Sequence, residues 1–240
     1  MIPTLNEAAK LPQCLSSVKL RGRSGEVIVS DGGSVDTTVA DARSYGANVV
    51  TGRRGRGTQM NAGAAGARGK ILLFLHADTV LPADGFAVIE TTMADPDIGV
   101  AAFRARFVPE SPSLRFYSAC TRFESPVTTF GDQCLVVRSS LFRSLGGFPD
   151  WPLYEDVEFL RRARKQSAVI KMNSWVTTSS RKFLAGGTVR QQVRNGLALF
   201  RFFRGESPET LAWEYYGKEF GAGASKKSPT AGSRMTAKQE

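Results

Sequence analysis

The segment Ile71-Leu72-Leu73-Phe74-Leu75-His76-Ala77-Asp78 decides the fold. Five consecutive apolar residues are typical of a strand that is buried on both faces of a parallel sheet. The run ends at a histidine and an aspartate, and open α/β sheets bind ligands beyond the carboxyl ends of their strands. An ionised carboxylate beside so apolar a strand requires a partner. We therefore expect Asp78 to lie at a ligand site, or else to act as the N-cap of the next helix.

Short β-branched runs alternate with helical patterns on both sides of this segment, as in βαβ units around a parallel sheet. The first half predicts strands over 26–30, 47–50, 70–75 and 99–107, and helices over 7–20, 36–45, 58–68 and 82–93. The second half predicts a strand over 134–137, a helix over 155–165, a strand pair over 168–172 and 174–178, and an amphipathic helix over 188–204. The fold class is therefore α/β, with a mostly parallel central sheet flanked by helices and a C-terminal amphipathic helix.

Composition limits the possible classes of protein. The chain has 240 residues, of which 42% are hydrophobic, and a net charge of +10. This excludes a disordered or fibrous chain and favours one domain, which we place at 1–216. Residues 217–240 are rich in Gly, Ser, Ala and Lys and predict a disordered basic tail. The basic excess predicts an anionic partner, which leaves nucleic acid, phospholipid and phosphorylated small molecules open.

The cysteines and the absence of long apolar runs indicate a compartment. Cys14, Cys120 and Cys134 form no CxxC pair, so neither a disulfide framework nor a thiolate zinc site is indicated. No apolar run reaches the roughly 18 residues of a membrane span, and the first residues lack the order of a signal peptide. We expect a cytoplasmic protein that is either soluble or bound to a membrane surface.

Polar clusters follow three of the predicted strands and what remains of a first strand before Pro3. They are Pro3-Thr4-Leu5-Asn6-Glu7, Ser30-Asp31-Gly32-Gly33-Ser34, Gly55-Arg56-Gly57 with Asn61, and His76-Ala77-Asp78. Mg²⁺ is commonly held by one or two carboxylates together with substrate phosphates, which makes Asp78 a candidate ligand. The alternative for the Asp31 cluster is a capped turn. The only histidine, His76, could contact a ribose or the metal, or be structural.

Arginines and a pair of acids complete the candidate site. Arg53, Arg54 and Arg56 interleave with glycines, so that guanidinium groups stand beside backbone open to an anionic ligand. Glu155 and Asp156 begin a predicted helix. Because adjacent helical residues diverge by about a quarter turn, only one acid can point directly into a cleft. There it could remove a proton from an acceptor hydroxyl, although both acids could simply favour the positive end of the helix.

The ordered set of motifs resembles the family-2 glycosyltransferases, whose fold is the GT-A nucleotide-sugar fold. The resemblance covers residues 2–216 and rests on Ile2–Glu7, Asp31–Asp36, Gly55–Gly63, His76–Asp78, Gly131–Gln133 and Glu155–Asp156. Within the family the chain is most similar to the small bacterial branch associated with radical-SAM or selenodomain proteins, in which a His-Ala-Asp motif is usual.

The resemblance implies an inverting enzyme that moves a sugar from a nucleoside diphosphate sugar to an acceptor hydroxyl. It implies that Asp78 binds Mg²⁺ or Mn²⁺ on the diphosphate and that Asp156 is the catalytic base, with Glu155 beside it. Asp132 and Arg181 would line the acceptor side. The residues implied in binding the nucleotide sugar are Pro3, Thr4, Glu7, Asp31, Arg56, Asn61 and His76.

Three departures from the family pattern matter. Relatives carry several apolar residues before Pro-Thr-Leu-Asn-Glu, so the first strand looks truncated and we suspect a mis-set start codon. His76 stands where many relatives have Asp, which bears on metal dependence. The Gln-x-x-Arg-Trp motif of processive relatives is missing, which favours a single transfer.

Two other functions compete with this one. A nucleotidyltransferase shares a similar sheet, but it normally carries a Gly-rich basic loop after the first strand, where this chain has Pro3-Thr4-Leu5-Asn6. A non-catalytic basic module that binds membranes or polyanions would explain the net charge. It would leave the acidic residues of the motifs without a role. Arginines flank an apolar stripe on the predicted helix over 188–204, a pattern that is also typical of a helix in peripheral contact with a membrane and would fit a lipid-linked acceptor. The stripe consists of Val189, Val193, Leu197, Phe200 and Phe203. A stripe at this spacing more often packs on the protein core, and we expect that packing here.

Overall fold

A computed structural model of the chain describes residues 1–20, 22–181 and 187–217. The strands are β1 (Ile2–Thr4), β2 (Ile28–Asp31), β3 (Asn48–Thr51), β4 (Ile71–Phe74), β5 (Thr79–Val80), β6 (Ile98–Val108), β7 (Leu135–Arg138) and β8 (Ala168–Ser179). The helices are α1 (Leu11–Ser17), α2 (Thr38–Ser44), α3 (Arg56–Ala65), α4 (Gly85–Met93), α5 (Pro112–Cys120), α6 (Ser139–Ser144), α7 (Glu155–Ala163), α8 (Thr188–Phe203) and α9 (Pro208–Tyr216). The predicted tail lies outside the described residues from position 218 onward.

The predicted α/β fold, a parallel sheet with flanking helices, is confirmed. Strands β1, β2 and β3 form a parallel sheet in that order. Met1 joins this sheet to β4, because its ammonium donates to the Leu73 carbonyl at 2.5 Å and its carbonyl accepts from Leu75 N–H at 3.0 Å. This connection places the carboxyl ends of β1, β2 and β4 side by side, where the predicted polar clusters begin.

The second half of the chain builds a mixed sheet of order β4-β7-β6-β8-β5. Only β6 and β8 pair in parallel there, and the other neighbours are antiparallel. The predicted strand pair 168–172 and 174–178 is one continuous strand, β8, whose register against β6 shifts between Ala102 and Arg104. Helices α5, α6 and α9, and the short strand β5, were not predicted from the sequence.

Aromatic packing beneath the sheet fixes the position of α7. Four phenylalanines are buried, namely Phe74 of β4, Phe142 of α6, Phe148 of the loop before α7 and Phe159 of α7. Neighbouring ring centroids lie 4.8–5.4 Å apart. Tilted and edge-on contacts at such distances add to the free energy gained from burying the rings. The cluster therefore holds the first turn of α7, with Glu155 and Asp156, against the edge of β4.

Helix α8 forms where it was predicted, but the expectation that its apolar stripe packs on the core is wrong. Val189 is 65% exposed, Val193 57%, Leu197 59%, Phe200 59% and Phe203 44%. The helix instead packs through the opposite face, on which Ala198 and Leu199 are buried. Periodicity identified an amphipathic helix correctly and could not reveal what its apolar face contacts. In the part of the chain that the structure describes, no helix is long and apolar enough to cross a membrane.

Candidate active site

The loop after β2 is organised around the carboxylate of Asp31, which is 1% exposed. Asp31 accepts hydrogen bonds from Thr4 Oγ1 at 3.1 Å, Gly33 N–H at 2.9 Å and Ser34 N–H at 2.8 Å. Burial alone would raise the pKa of Asp31, but the hydrogen bond from Ser34 Oγ, together with those already named, outweighs it and the pKa lies below its ordinary value. Asp31 is therefore ionised and holds the strand ends of β1 and β2 in one conformation.

The loops after β1 and β2 lock together into a single rim. Asn6, in the left-handed region at φ 53°, donates its N–H to Ser34 Oγ at 2.8 Å and accepts from Val35 N–H at 2.9 Å. Glu7 N–H donates to Thr38 Oγ1 at 2.9 Å. Predicted residues Pro3, Thr4, Glu7 and Asp31 all belong to this rim or its support. Arg181, predicted on the acceptor side, also lies here, 3.7 Å from the carboxylate of Glu7.

Gln59 of α3 supports this rim and was not singled out from the sequence. Its buried amide Nε2 donates to the carbonyls of Thr4 and Ser30, each at 2.7 Å, so one side chain joins the ends of β1 and β2. In the sequence, its role was indicated only by its position one helical turn after Arg56.

Next to the rim lies a cavity of about 320 Å³, which is the candidate active site. Its lining contains five of the predicted residues, Arg56, His76, Asp78, Asp132 and Asp156. The predicted residues outside its lining are Pro3, Thr4, Glu7, Asp31, Asn61, Glu155 and Arg181. The remaining lining residues belong to β6, α5, β8, α8 and α9, and to the segments before β7 and α7.

Asp156 is the acid that α7 presents to the cavity. It is 5% exposed, and its carboxylate accepts from Gly131 N–H at 2.6 Å and from Val157 N–H at 2.9 Å. A Cβ at Gly131 would lie 3.0 Å from Asp156 Oδ2, so the contact requires glycine or a displaced carboxylate. Both hydrogen bonds come from backbone groups, which fix the carboxylate in place.

Glu155 points away from the cavity and pairs with Arg56. Its carboxylate is 1% exposed and accepts from Arg56 Nε. Burial raises the pKa of Glu155, and the guanidinium opposes that shift. The second guanidinium nitrogen of Arg56 lies 3.9 Å from Asp156 Oδ1, so Glu155 positions the arginine and the arginine places positive charge at the cavity wall. Gly57 permits this packing, since a Cβ there would lie 2.9 Å from the Pro149 carbonyl.

Asp132 is the second acid of the cavity. It lies in the short 3₁₀ turn Gly131–Gln133, and among the described residues its Oδ1 has no hydrogen-bond partner although it is buried. Burial, with the nearby charge of Asp156, raises the pKa of Asp132 to about 6. Lys171 of β8 lies near, donating to Gln133 Oε1, and burial lowers the pKa of Lys171 to about 7. The cavity thus holds a carboxyl group that exchanges its proton near neutral pH.

Asn61 and Arg53 have structural contacts outside the cavity. The Asn61 amide donates to the Phe148 carbonyl at 2.8 Å and accepts from Phe148 N–H at 3.0 Å. Arg53 pairs with Asp150, which also accepts from Thr58 Oγ1 at 2.6 Å. Both interactions attach α3 and its preceding loop to the loop that leads into α7. Of the predicted arginine cluster, Arg56 is the member that reaches the cavity.

The carboxyl end of β4 offers a restricted set of metal donors. His76 and Asp78 both line the cavity, at a turn closed by Thr79 N–H donating to the His76 carbonyl at 3.0 Å. Across the described ranges, no three His, Cys, Asp or Glu side chains converge on a common point. The half-buried carboxylate of Asp78 fits a hard cation that takes its other ligands from phosphate and water. It does not fit a site in which protein side chains supply all the ligands.

Amide and aromatic side chains of the C-terminal helices close the cavity, and sequence analysis did not identify them. They are Gln191, Gln192 and Asn195 of α8 and Tyr215 and Tyr216 of α9, together with Tyr154 at the start of α7. Gln191 Nε2 donates to Asn195 Oδ1 at 2.8 Å and to Tyr215 OH at 3.1 Å. The only sequence signal was the polar face of an amphipathic helix, which by itself does not distinguish a site from solvent.

Comparison with known proteins places these features in context. The profile of glycosyl transferase family 2 matches residues 1–143. The mannosyltransferase PcManGT from Pyrobaculum calidifontis, solved with GDP-Man and Mn²⁺, is 19% identical with a TM-score of 0.64, and the match covers 91% of this chain and 70% of that one.

Two further solved structures have the same fold. Glucosyl-3-phosphoglycerate synthase from Mycobacterium tuberculosis, solved with Mn²⁺, UDP and glucosyl-3-phosphoglycerate, is 19% identical with a TM-score of 0.59, covering 82% of this chain and 77% of that one. TarS from S. aureus, solved with UDP-GlcNAc, is 17% identical with a TM-score of 0.60, covering 74% and 57%.

Proposed function

Because the chain belongs to glycosyl transferase family 2, we propose that it moves one sugar from a nucleoside diphosphate sugar to an acceptor hydroxyl and inverts the anomeric centre. The chain is a glycosyltransferase by family, and residues 1–216 would form its catalytic domain. The observation that carries the proposal is the placement of Asp156, a fixed and buried carboxylate, in one cavity with Arg56, Asp78 and Asp132. The His76-Ala77-Asp78 motif supports assignment to the small bacterial branch of the family.

The donor nucleotide would lie along the rim. Pro3, Thr4, Glu7 and Asp31 would contact the base and ribose, and Arg181, beside Glu7, would line the acceptor side. The carboxylate of Asp31 supports this role, because its hydrogen bonds fix the backbone of Gly33 and Ser34 at the carboxyl end of β2. The diphosphate would extend from the rim into the cavity. There it would meet Arg56 and His76, with Asn61 maintaining the wall from behind.

A divalent cation, Mg²⁺ or Mn²⁺, would be held by Asp78 with His76 nearby. The donor set fits such an ion when diphosphate oxygens supply further ligands. The structural neighbours solved with Mn²⁺ and nucleotide ligands are consistent with this assignment. When bound, the cation would neutralise charge that develops on the leaving diphosphate. Arg56 would add a fixed positive charge on the same side.

Asp156 would act as the general base. Its carboxylate takes the proton of the acceptor hydroxyl while that oxygen bonds to the anomeric carbon. The bond from the anomeric carbon to the diphosphate oxygen breaks with both electrons passing to the nucleoside diphosphate. Attack from the face opposite the leaving group inverts the centre, and Asp156 then returns the proton to solvent. Asp132 would contact the acceptor, since its buried oxygen lines the same cavity.

The acceptor itself would be lipid-linked and reached by peripheral contact with a membrane through residues 188–204. Exposure of the apolar stripe of α8 supports this part of the proposal. Absence of the Gln-x-x-Arg-Trp motif supports a single transfer over polymerisation. The cysteines Cys14, Cys120 and Cys134 are free thiols, which supports a reducing, cytoplasmic location.

The base assignment is tested by nucleotide release from a panel of donors, UDP-glucose, GDP-mannose and UDP-GlcNAc, in the presence of Mn²⁺. We expect Asp156→Asn to lower turnover by about 100-fold or more, the usual range for loss of a general base. The exposed acid Glu209 in α9 provides the matched control, Glu209→Gln, which should not change turnover. Unchanged turnover in Asp156→Asn would overturn the assignment of the base.

A further inference from the structure

The outer surface of α8 forms one continuous apolar face. At 3.6 residues per turn, Val189, Val193, Leu197, Phe200 and Phe203 all project within about a third of the helix circumference. Each of them is between 44% and 65% exposed. Soluble proteins rarely leave a patch of this kind uncovered, and such patches mark sites of interaction. We call these five side chains the α8 face.

A second exposed apolar segment lies beside the α8 face. Helix α5 packs against α8, and Phe116 of α5 is 74% exposed. Phe123 and Val127, in the segment that follows α5, are 69% and 57% exposed. Exposed aromatic and aliphatic side chains therefore occur on two elements that are in contact.

Arginines border the α8 face on one side of the helix. Arg194 and Arg201 are occupied, because Arg194 donates to the carbonyls of Glu214 and Tyr215 and Arg201 pairs with Glu206 and Glu214. Arg190 and Arg204 are exposed, and neither forms an ion pair among the residues described. The guanidinium of Arg204 lies 5.7 Å from the Phe200 ring centre, at the edge of the apolar surface.

The candidate active site borders the α8 face on the other side of the helix. Gln192, Gly196 and Leu199 line the cavity, and around the helix they lie directly beside the stripe. Val127 of the second apolar segment also lines the cavity. The cavity wall is thus shared with both elements that carry exposed apolar side chains.

We propose that the α8 face and the segment around Phe116–Val127 dock on an anionic lipid bilayer and present the cavity to acceptors held in that bilayer. An amphipathic helix with a basic edge lies in the headgroup region with its apolar face among the acyl chains. A second copy of the chain is a poorer occupant, because a symmetric contact between two α8 faces would bring like-charged arginine edges together. The membrane contact through 188–204 and the acceptor held in the bilayer rest on the proposed function, to which this proposal adds an anionic surface and the second apolar segment.

The contact is tested by co-sedimentation of the full chain with vesicles of phosphatidylcholine alone or with 30% phosphatidylglycerol. We expect binding to the anionic vesicles, weakened by 0.5 M salt, and about tenfold lower affinity for Val193→Gln/Leu197→Gln. Arg190→Gln/Arg204→Gln should lose the preference for anionic lipid. The control Tyr45→Gln alters an exposed aromatic residue directly after α2 and should bind as the parent chain does.

Two results would overturn the proposal. One is absence of binding to anionic vesicles, or binding that the α8 variants leave unchanged. The other is a concentration-dependent dimer in light scattering that Val193→Gln/Leu197→Gln abolishes, which would assign the face to a second copy. Nucleotide release without vesicles separates this inference from the proposed function, because the α8 variants should retain it while Asp156→Asn should not.

Discussion

Replacing Asp132 with asparagine should stabilise the protein, and by an amount that depends on pH. The folded protein raises the pKa of Asp132 from 3.8 to about 6, chiefly by burial. Ionising the carboxyl group therefore costs the folded state free energy that the unfolded state does not pay. The favourable contribution of the protonated acid is complete below pH 4 and is lost as the pH rises through 6. Asparagine has a similar shape and carries no charge, so the variant should not lose this stability as the pH rises.

The size of this effect follows from the shift in pKa. A shift of roughly two units, at 1.36 kcal/mol for each, gives about 3 kcal/mol as the upper limit of the gain. We expect urea denaturation to show Asp132→Asn and the parent chain with equal free energies of unfolding near pH 4. Near pH 8 the variant should be more stable by about 1–3 kcal/mol. The exposed acid Glu110 supplies the control Glu110→Gln, whose difference from the parent should not follow this course. A difference for Asp132→Asn that stays constant between pH 4 and pH 8 would refute the reasoning.

Three further substitutions test the framework around the acids. Gly131→Ala places a Cβ 3.0 Å from Asp156 Oδ2, and we expect a loss of about 1–3 kcal/mol in urea denaturation with a larger fall in nucleotide release. Glu155→Gln leaves the guanidinium of Arg56 without its buried partner, and we expect thermal unfolding to show a loss of about 1–3 kcal/mol, a value reduced because Arg56 is partly exposed. Asn61→Ala removes two hydrogen bonds to the loop before α7, and we expect about 1–3 kcal/mol lower stability with weaker donor binding in calorimetry.

Sequence reasoning predicted the elements whose signal is local. The apolar run that became β4 and the alternating pattern around it identified the parallel half of the fold. The quarter-turn argument for Glu155 and Asp156 also agrees with the structure, because only Asp156 lines the cavity. Each of these inferences needs only the geometry of one helix or strand.

Features that depend on contacts between distant segments could not be predicted in this way. Gln59 joins two strand ends through hydrogen bonds of its amide, and the amide of Asn61 hydrogen-bonds with Phe148. The sequence around these two residues does not identify their partners. Arg181 lies beside Glu7, a contact that the local sequence does not predict. The exposure of the α8 face could not be predicted for the same reason. The spacing of apolar residues identifies the face, but contacts with other segments determine what covers it.

The central claim is that the cavity binds a nucleoside diphosphate sugar through a cation held by Asp78. Isothermal titration calorimetry of the full chain with GDP-mannose, UDP-glucose and UDP-GlcNAc, each with and without Mn²⁺, tests it most directly. We predict that at least one donor binds with Mn²⁺, that removing Mn²⁺ weakens its affinity by about tenfold or more, and that Asp78→Asn weakens it equally. Binding of no donor, or binding that neither Mn²⁺ nor Asp78→Asn affects, would contradict the claim.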